Sequence, residues 1–161
     1  TFYRAVANTD RVEDILPIAQ QAKNYYRVHV EVVRNLMPGL NDGEDEVRQL
    51  ATLVLQLLGA DTPLHFTTYV PYAMMTHVPP TPPATLARAR QIALHTGLQF
   101  VYTDNVTDPS SAYTRCPVCD TLVVTRTKAR VVIEALAEDG ACACCGSWLG
   151  MRMRTSVSRR T

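Results

Sequence analysis

The stretch VHVEVVRNLMPGLNDGEDEVRQLATLVLQLLG, residues 28–59, decides the fold because it carries a strand, a turn and a helix in that order. Its Val-rich beginning, residues 28–36, predicts a β-strand, and the PGLND turn at residues 38–42 ends that strand. Residues 43–58 predict a helix with three acidic residues in its first turn, where the positive end of the helix dipole favours them. We expect Asn41 or Asp42 to cap this helix. One helix face is apolar and carries Val47, Leu50, Ala51, Val54, Leu57 and Leu58.

Two further strands follow, and a helix separates them. Residues 64–70, LHFTTYV, predict the second strand, and residues 98–103, LQFVYT, predict the third. Between them Thr81 and Pro82 predict a helix start, and Gly97 predicts its end. With an amphipathic helix before the first strand, the order is α-β-α-β-α-β, which predicts an α/β fold with a parallel sheet and right-handed crossovers.

Four of the five cysteines form two CxxC pairs, Cys116 with Cys119 and Cys142 with Cys145, with 22 residues between the pairs. Two short β-like runs lie in that interval, so the pattern predicts a zinc ribbon. A tetrahedral site with four thiolates keeps no open position, and we therefore expect a structural zinc rather than a hydrolytic one. Iron in a rubredoxin-like site is the alternative, because geometry does not separate the two metals. Cys144 could replace a neighbour as ligand, although the spacing favours Cys145.

Charge and hydropathy limit the possible partners and the compartment. The formal net charge is +1, which gives no electrostatic case for nucleic acid. A basic excess gathers at the C-terminus in Arg152, Arg154, Arg159 and Arg160. No apolar run reaches the roughly 18–20 residues that span a bilayer. Closely spaced cysteines indicate metal ligation in a reducing compartment, and we expect a cytoplasmic protein.

The predicted organisation has four parts. Residues 1–105 form an α/β domain, residues 106–115 a linker, residues 116–155 a four-cysteine module and residues 156–161 a basic tail. Hydrophobic residues make up 47% of the chain, which is typical of a globular protein. Three strands are too few to close a βα-barrel, which takes eight. We therefore expect the α/β domain to be half of a larger structure.

Several motifs occur in an order that resembles the C-terminal half of radical S-adenosylmethionine (radical SAM) proteins, in the AmmeMemoRadiSam and pyruvate-formate-lyase-activating-enzyme-like group. They are a PGxND turn, a His-containing strand leading to a Pro/Tyr/Met loop, a TP-x-x-TL helix, a YVYxGN-like strand and a CPxC pair. The matching residues are Pro38, Gly39, Asn41, Asp42, His65, Pro71, Tyr72, Met74, Thr81, Pro82, Thr85, Leu86, Tyr102, Asn105, Cys116 and Cys119. The resemblance covers nearly the whole chain.

The resemblance implies half of a partial (βα)6 radical SAM barrel, followed by the zinc-ribbon-like appendage. It places Pro38, Gly39, Asn41 and Asp42 near S-adenosylmethionine, with His65 and Tyr69 pointing into the barrel. The sequence lacks the CxxxCxxC motif whose thiolates hold the family's 4Fe–4S cluster. Thr68 and Asp104 also stand where the family has Arg and Gly. The chain alone is therefore expected to have no catalytic residues, and the cluster and S-adenosylmethionine require an N-terminal half.

Three functional hypotheses follow. The first is the C-terminal barrel half and zinc-binding tail of a radical SAM enzyme, which is not competent alone. The second is a non-enzymatic, zinc-binding structural or docking subunit that has lost the cluster. The third is a rubredoxin-like electron-transfer module. Because a three-stranded parallel sheet leaves an open edge that favours pairing, we expect an N-terminal barrel half or another subunit to bind there. We expect no membrane contact.

Overall fold

The computed structural model describes residues 15–104, 109–127 and 129–151. The chain divides into two compact units, with the first ending at Ser111 and the second beginning at Ala112. This division falls inside the predicted linker, residues 106–115, and Thr114–Arg115 of that segment already form a strand of the second unit. Asn105 and the basic tail lie outside the described residues, as do residues 1–14.

The first unit alternates helices with three parallel strands, as the sequence predicts. Strand β1 pairs with β2 and β2 pairs with β3, so the order in the sheet follows the order in the chain. The elements in chain order are α1 (Ile15–Asn24), β1 (Val32–Leu36), α2 (Glu44–Leu58), β2 (Leu64–Thr68), α3 (Pro83–Thr96) and β3 (Val101–Thr103).

One hydrophobic core joins the three described α-helices to one face of the sheet. Side chains alternate between the two faces of a strand, and Leu64 and Phe66 of β2 both point into this core. The core also contains Leu16 of α1, Val47, Ala51, Val54 and Leu58 of α2, Leu86, Ala89 and Ala93 of α3, and Leu36 and Val101 of the neighbouring strands. None of the described α-helices packs on the opposite face, which we therefore call the helix-free face. This face carries Val33, Asn35, His65, Thr67 and Tyr102.

The sheet is wound in a single direction. In a doubly wound sheet the strand order reverses and helices cover both faces. Here each new strand is added on the same side of the previous one, and right-handed crossovers then bring α2 and α3 to the same face. Helices α2 and α3 accordingly pack against each other in one core. This winding is the one that βα-barrels use.

The first strand is shorter than predicted. The sequence predicts residues 28–36, whereas the ladder begins at Val32, whose N–H donates to the carbonyl of Pro63 at 2.9 Å. Proline has no N–H group, so Pro63 cannot extend the ladder by donating to β1. Residues 28–31 precede β1 outside the ladder. The third strand is shorter too, because Leu64 at the start of β2 pairs with Val101.

Two helix caps are predicted wrongly. Gly43 precedes α2 with no side-chain cap bond, so neither Asn41 nor Asp42 caps that helix. Pro82 precedes α3, which begins at Pro83, so Thr81 is not its cap. All three polar side chains bind backbone groups at the strand ends instead. None of the described helices combines the length and the apolar character that crossing a bilayer requires.

The second unit is a small antiparallel sheet with two cysteine loops. Its strands are β4 (Thr114–Arg115), β5 (Leu122–Arg126) and β6 (Val131–Ile133), and β5 lies in the middle. A turn at Asp139–Gly140 precedes the second cysteine loop, and Gly140 has a φ of 88°. A Cβ atom at Gly140 would lie 2.0 Å from the carbonyl oxygen of Met151, so only glycine fits where these two segments meet.

Lys23 of α1 binds the C-terminal end of α2. Its Nζ donates to the carbonyl of Leu58, to Oδ1 of Asp61 and to Oγ1 of Thr62, each at 2.7 Å. The last carbonyls of a helix lack partners within the helix and form the negative end of its dipole. The ammonium group therefore satisfies a helix end while it connects two helices of the core.

We predict that Lys23→Met lowers the free energy of unfolding of the first unit by about 1–3 kcal/mol, because charge-assisted hydrogen bonds to a helix end are lost. Urea unfolding followed by far-ultraviolet circular dichroism measures this, since the described α-helices lie in the first unit. The control is Arg88→Met. Arg88 pairs with Glu44 at 3.4 Å on the surface, and its loss should cost less than about 1 kcal/mol. Equal effects of the two substitutions would contradict the assignment.

Candidate functional site

Two loops of the second unit bring four cysteine sulfurs together. The Sγ atoms of Cys116, Cys119, Cys142 and Cys145 all lie within 4.8 Å of one another. The distance is 3.6 Å between Cys116 and Cys145 and 3.7 Å between Cys119 and Cys142. A tetrahedron with metal–sulfur bonds of about 2.3 Å has sulfur–sulfur edges of about 3.8 Å, whereas a disulfide bond measures about 2.05 Å. The four sulfurs therefore have the spacing of a metal cage, and the group could hold a metal ion.

The two cysteine loops are built alike. In each loop the N–H four residues after the first cysteine donates to that cysteine's carbonyl, and the cysteine's own N–H donates to the carbonyl five residues later. The first loop has these bonds from Asp120 to Cys116 and from Cys116 to Thr121, both at 2.9 Å. The second has them from Gly146 to Cys142 and from Cys142 to Ser147, both at 2.8 Å.

Each loop turns through a left-handed residue directly after its second cysteine. Asp120 has a φ of 57° and Gly146 a φ of 73°. The sequence predicts this role for Asp120, which stands where such loops usually carry glycine and tolerates the left-handed region better than most residues. The equivalent turns direct the second cysteine of each pair toward the opposite loop, as the cross-loop sulfur contacts require.

The metal-free cage holds its protons unevenly. Hydrogen bonds from the side chain and backbone of Thr121 lower the pKa of Cys119 to about 6. At Cys145 the backbone N–H of Ser147 lowers the pKa, but hydrogen bonds with Cys119 and the other thiols, together with burial, outweigh it and raise the pKa to about 12. A bound cation would replace the thiol protons as the positive partner.

Cys144 lies outside the group of four. It is exposed, whereas Cys116 and Cys142 are buried and fix the two loops from inside. Cys144 follows Cys142 by two residues, which places it at the loop tip between the two ligands that the CxxC spacing selects. Four thiolates complete a tetrahedral shell without it.

The PGLND turn at the end of β1 is held by its own polar side chains. Oδ1 of Asn41 accepts from the N–H of Met37 at 2.7 Å, and Nδ2 of Asn41 donates to the carbonyl of Asn35 at 3.0 Å. Oδ1 of Asp42 accepts from the N–H of Gly39 at 2.8 Å. Asn41 is 1% exposed, so its amide is used entirely inside the turn. The two side chains therefore fix the position of residues 38–40, of which Gly39 is exposed.

Thr81 joins the ends of β1 and β2. Its hydroxyl donates to the carbonyl of Leu36 and accepts from the N–H of Tyr69, and its own N–H donates to the carbonyl of Tyr69 at 3.2 Å. The side chain is buried. Thr81 therefore extends the pairing of two parallel strands beyond their last residues. Sequence reasoning missed this role because a Thr before two prolines has the pattern of a helix start.

Tyr69 is buried beneath the loop that follows β2. It packs with Met37, Met75 and Val78, and its hydroxyl donates to the carbonyl of Met75 at 2.9 Å. Tyr69 therefore holds the loop that follows β2 by packing against its buried side and by a hydrogen bond to its backbone. The PGLND turn, Thr81 and Tyr69 are consequently connected at the C-terminal ends of the strands. Parallel sheets bind their ligands at these strand ends.

His65 lies apart from these strand ends. It is the second residue of β2, so the strand end at Thr68 is roughly 10 Å away. Its Nε2 lies 3.0 Å from Oε2 of Glu31, and its ring stacks on Tyr102 with centroids 5.0 Å apart. Glu31 also accepts a hydrogen bond from Nε2 of His29 at 2.8 Å. The predicted cofactor residues therefore fall into two groups, one at the strand ends and one on the helix-free face.

Sequence reasoning did not single out Glu31. The signal that could have found it is its place in the Val-rich segment, where residues 29, 31 and 33 share one side of an extended chain. A carboxylate between a histidine and a valine on that side indicates that the side does not face an apolar core.

Comparison with known proteins finds one similarity that spans most of the chain. The chain is 35% identical over 146 residues to the uncharacterized protein MJ0808 of Methanocaldococcus jannaschii. The aligned region is 90% of this chain but 43% of that protein, so the chain spans about two fifths of the relative's length. No family model matches the chain, and no solved structure matches it.

We predict that the purified chain binds one metal ion per molecule, and that Cys116→Ser or Cys142→Ser abolishes this binding. A tetrahedral thiolate site should give intense sulfur-to-metal charge-transfer bands with Co²⁺, and native mass spectrometry gives the stoichiometry. Cys144→Ser is the matched control and should bind the metal normally, because Cys144 lies outside the group. Loss of the bands in Cys144→Ser together with their retention in Cys142→Ser would refute the assignment.

We predict that Thr81→Val lowers the free energy of unfolding of the first unit by about 2–4 kcal/mol. Valine keeps the shape but leaves the carbonyl of Leu36 and the N–H of Tyr69 buried without their shared partner. Thr81→Ser keeps the hydroxyl and should cost less than about 1.5 kcal/mol for the lost methyl group. Urea unfolding by circular dichroism compares them, and equal losses in Val and Ser variants would rule out the hydroxyl as the cause.

Proposed function

We propose that this chain forms the C-terminal half of a radical SAM enzyme resembling the AmmeMemoRadiSam group, with a zinc-binding tail. The observation that carries the proposal is the winding of the first unit, in which sequential parallel strands keep every described helix on one face. A segment wound in this way completes a barrel only when further βα units pair with its open edge. The helix-free face would then line the interior.

The PGLND turn supports a ligand site at the strand ends. Asn41 and Asp42 hold the turn, and a Cβ atom added to Gly39 would meet no other atom within 4 Å. The space beside Gly39 is therefore open to a ligand. By resemblance, S-adenosylmethionine would lie there, and Asn41 and Asp42 would act by fixing Pro38 and Gly39 rather than by binding it with their side chains.

The length of the relative also supports the proposal. The unaligned part of MJ0808 is longer than the part that this chain matches, which leaves room for a second barrel half. The family's chemistry, reductive cleavage of S-adenosylmethionine, requires a CxxxCxxC cluster motif that this sequence does not contain. The residues described here would contribute the strand-end turn, the inner face of half the barrel and the tail.

For the tail we propose structural zinc. The sulfur spacing fits a tetrahedral ion, and four thiolates leave no position for a substrate or a reactive water. A small sheet with few buried side chains gains most from such a crosslink. Iron in the same cage would make the tail an electron-transfer module, and elemental analysis of the purified chain distinguishes the two metals.

A second candidate function is a non-enzymatic, zinc-binding docking subunit. The observation that favours it is that the polar side chains at the strand ends already bind backbone groups of the chain itself. Both polar atoms of the Asn41 amide form hydrogen bonds inside the turn, and the Thr81 hydroxyl forms hydrogen bonds with the ends of two strands. A scaffold that had lost its cofactor would keep such bonds, because they stabilise the fold without a ligand.

We predict that the chain joined to a CxxxCxxC-bearing half cleaves S-adenosylmethionine. The first step is to read the upstream reading frame for this motif within the preceding ~150 residues, the length of a further domain. The joined protein, reconstituted anaerobically with iron and sulfide and reduced with dithionite, should release 5′-deoxyadenosine and methionine, measured by liquid chromatography and mass spectrometry.

The chain alone is the control and should release neither product. Gly39→Val in the joined protein tests the site, because a side chain there enters the open space and strains a residue with φ of 73°. It should weaken binding of S-adenosylmethionine while the cluster spectrum is retained. The radical SAM proposal fails if the frame encodes no cluster motif, or if a loaded cluster gives no cleavage, and the docking function is then favoured.

A further inference from the structure

His65 is held on the helix-free face by contacts on two sides. Nε2 of His65 is buried and lies 3.0 Å from the Glu31 carboxylate, close enough for an ion pair although no aligned hydrogen bond forms. The ring stacks on Tyr102 at a tilt of 32°, and Tyr102 is itself buried. The side chain of a strand histidine that is held between a carboxylate and an aromatic ring has little rotational freedom. Its orientation is therefore set before any ligand binds.

The second ring nitrogen of His65, Nδ1, does not contact the Glu31 carboxylate. Within the part of the chain that the structure describes, Nδ1 of His65 has no hydrogen-bond partner, and the side chain is 21% exposed. The negative charge of a carboxylate 3.0 Å from Nε2 favours the tautomer with the proton on Nε2, even without an aligned hydrogen bond, and leaves the lone pair on Nδ1. That arrangement makes the free nitrogen an acceptor for an external proton.

We propose that His65 is a proton-transfer residue for a small polar molecule bound on the helix-free face, with Glu31 as its positioning residue. Neutral His65 would accept a proton at Nδ1 from an O–H or N–H group of the ligand. The imidazolium formed would be stabilised by the Glu31 carboxylate and would return the proton to the product. Asn35 and Thr67, on the same face, offer hydrogen-bonding groups for such a ligand.

Glu31 is suited to this role because it stays ionised. Burial works to raise its pKa, but the hydrogen bond from His29 and the positive charge that His65 carries once protonated outweigh burial and lower the pKa of Glu31 below its ordinary value. His29 is more than half exposed and connects the carboxylate to solvent. The inference goes beyond the radical SAM proposal, since it requires a ligand on this face but no particular cofactor.

The alternative role of Glu31 and His65 is purely structural: their contact would stabilise the fold by linking the segment before β1 to strand β2. The two roles differ in the state of Nδ1. A positioned proton acceptor requires the tautomer with hydrogen on Nε2 and a reactive Nδ1. A structural contact requires only that the pair contributes to the stability of the fold.

Nitrogen NMR of the intact, metal-loaded chain tests the tautomer without any substitution. We expect the neutral form of His65 to carry its proton on Nε2 and to leave Nδ1 unprotonated. Acylation by diethyl pyrocarbonate, mapped by peptide mass spectrometry, tests reactivity at about pH 8, where an ordinary imidazole is neutral. His65 should react at least as fast as the exposed His77 despite its smaller exposure.

Glu31→Gln is the decisive variant, because it keeps the shape and removes the charge. It should reduce the Nε2-protonated tautomer and slow acylation of His65 several-fold, while His77 and His95 react as before. A fall in thermal stability with no change in tautomer or acylation rate would show that the pair has only a structural role. A wild-type His65 protonated on Nδ1 would also overturn the proposal, whether or not the variant folds.

Discussion

Both crossovers of the first unit pass over the same face of the sheet, and this constraint determines where its polar groups can lie. The helices cover Leu64 and Phe66, so the core-facing side of β2 must be apolar. Because side chains alternate along a strand, the other side is free to carry His65 and Thr67. A doubly wound sheet would have buried those positions beneath a second helical layer, where a histidine contacting a carboxylate costs desolvation energy on both groups.

The second unit depends on a different constraint. Its described strands contain two to five residues, and its buried side chains, such as Val123, Val124 and Leu149, are few. A unit of this size gains little from hydrophobic burial alone, and a metal crosslink can supply folding free energy directly. The paired hydrogen bonds of the two loops hold the four cysteines at the spacing that a tetrahedral metal ion requires. A metal ion bound there would crosslink the two loops, and four thiolate ligands would leave it no open position for a substrate.

Much of the fold and the whole cysteine group could be predicted from the sequence, because both depend on local signals. The acidic first turn and apolar face of residues 43–58 predict α2 within one residue. The CxxC spacing predicts which cysteines meet, and Asp120 predicts the left-handed turn. The lengths of β1 and β3 could not be predicted, since they depend on which partner residues face them across the sheet. Pro63 shortens the pairing of β1 from a position that lies 31 residues beyond Val32.

The wrongly predicted caps have a common physical cause that bears on function. Asn41, Asp42 and Thr81 are residue types that bind any nearby backbone group, and a helix N-terminus is the nearest candidate in sequence. In the structure, the unpaired groups at the ends of parallel strands compete for the same side chains. A helix N-terminus at the surface can be satisfied by water, whereas the carbonyl of Leu36 and the N–H of Tyr69 are buried and cannot be. The buried groups therefore bind these side chains, and several side-chain hydrogen bonds hold the loops at the C-terminal ends of the strands. Loops held in this way are rigid enough to position a cofactor, but the same bonds would also preserve them in a chain that binds none.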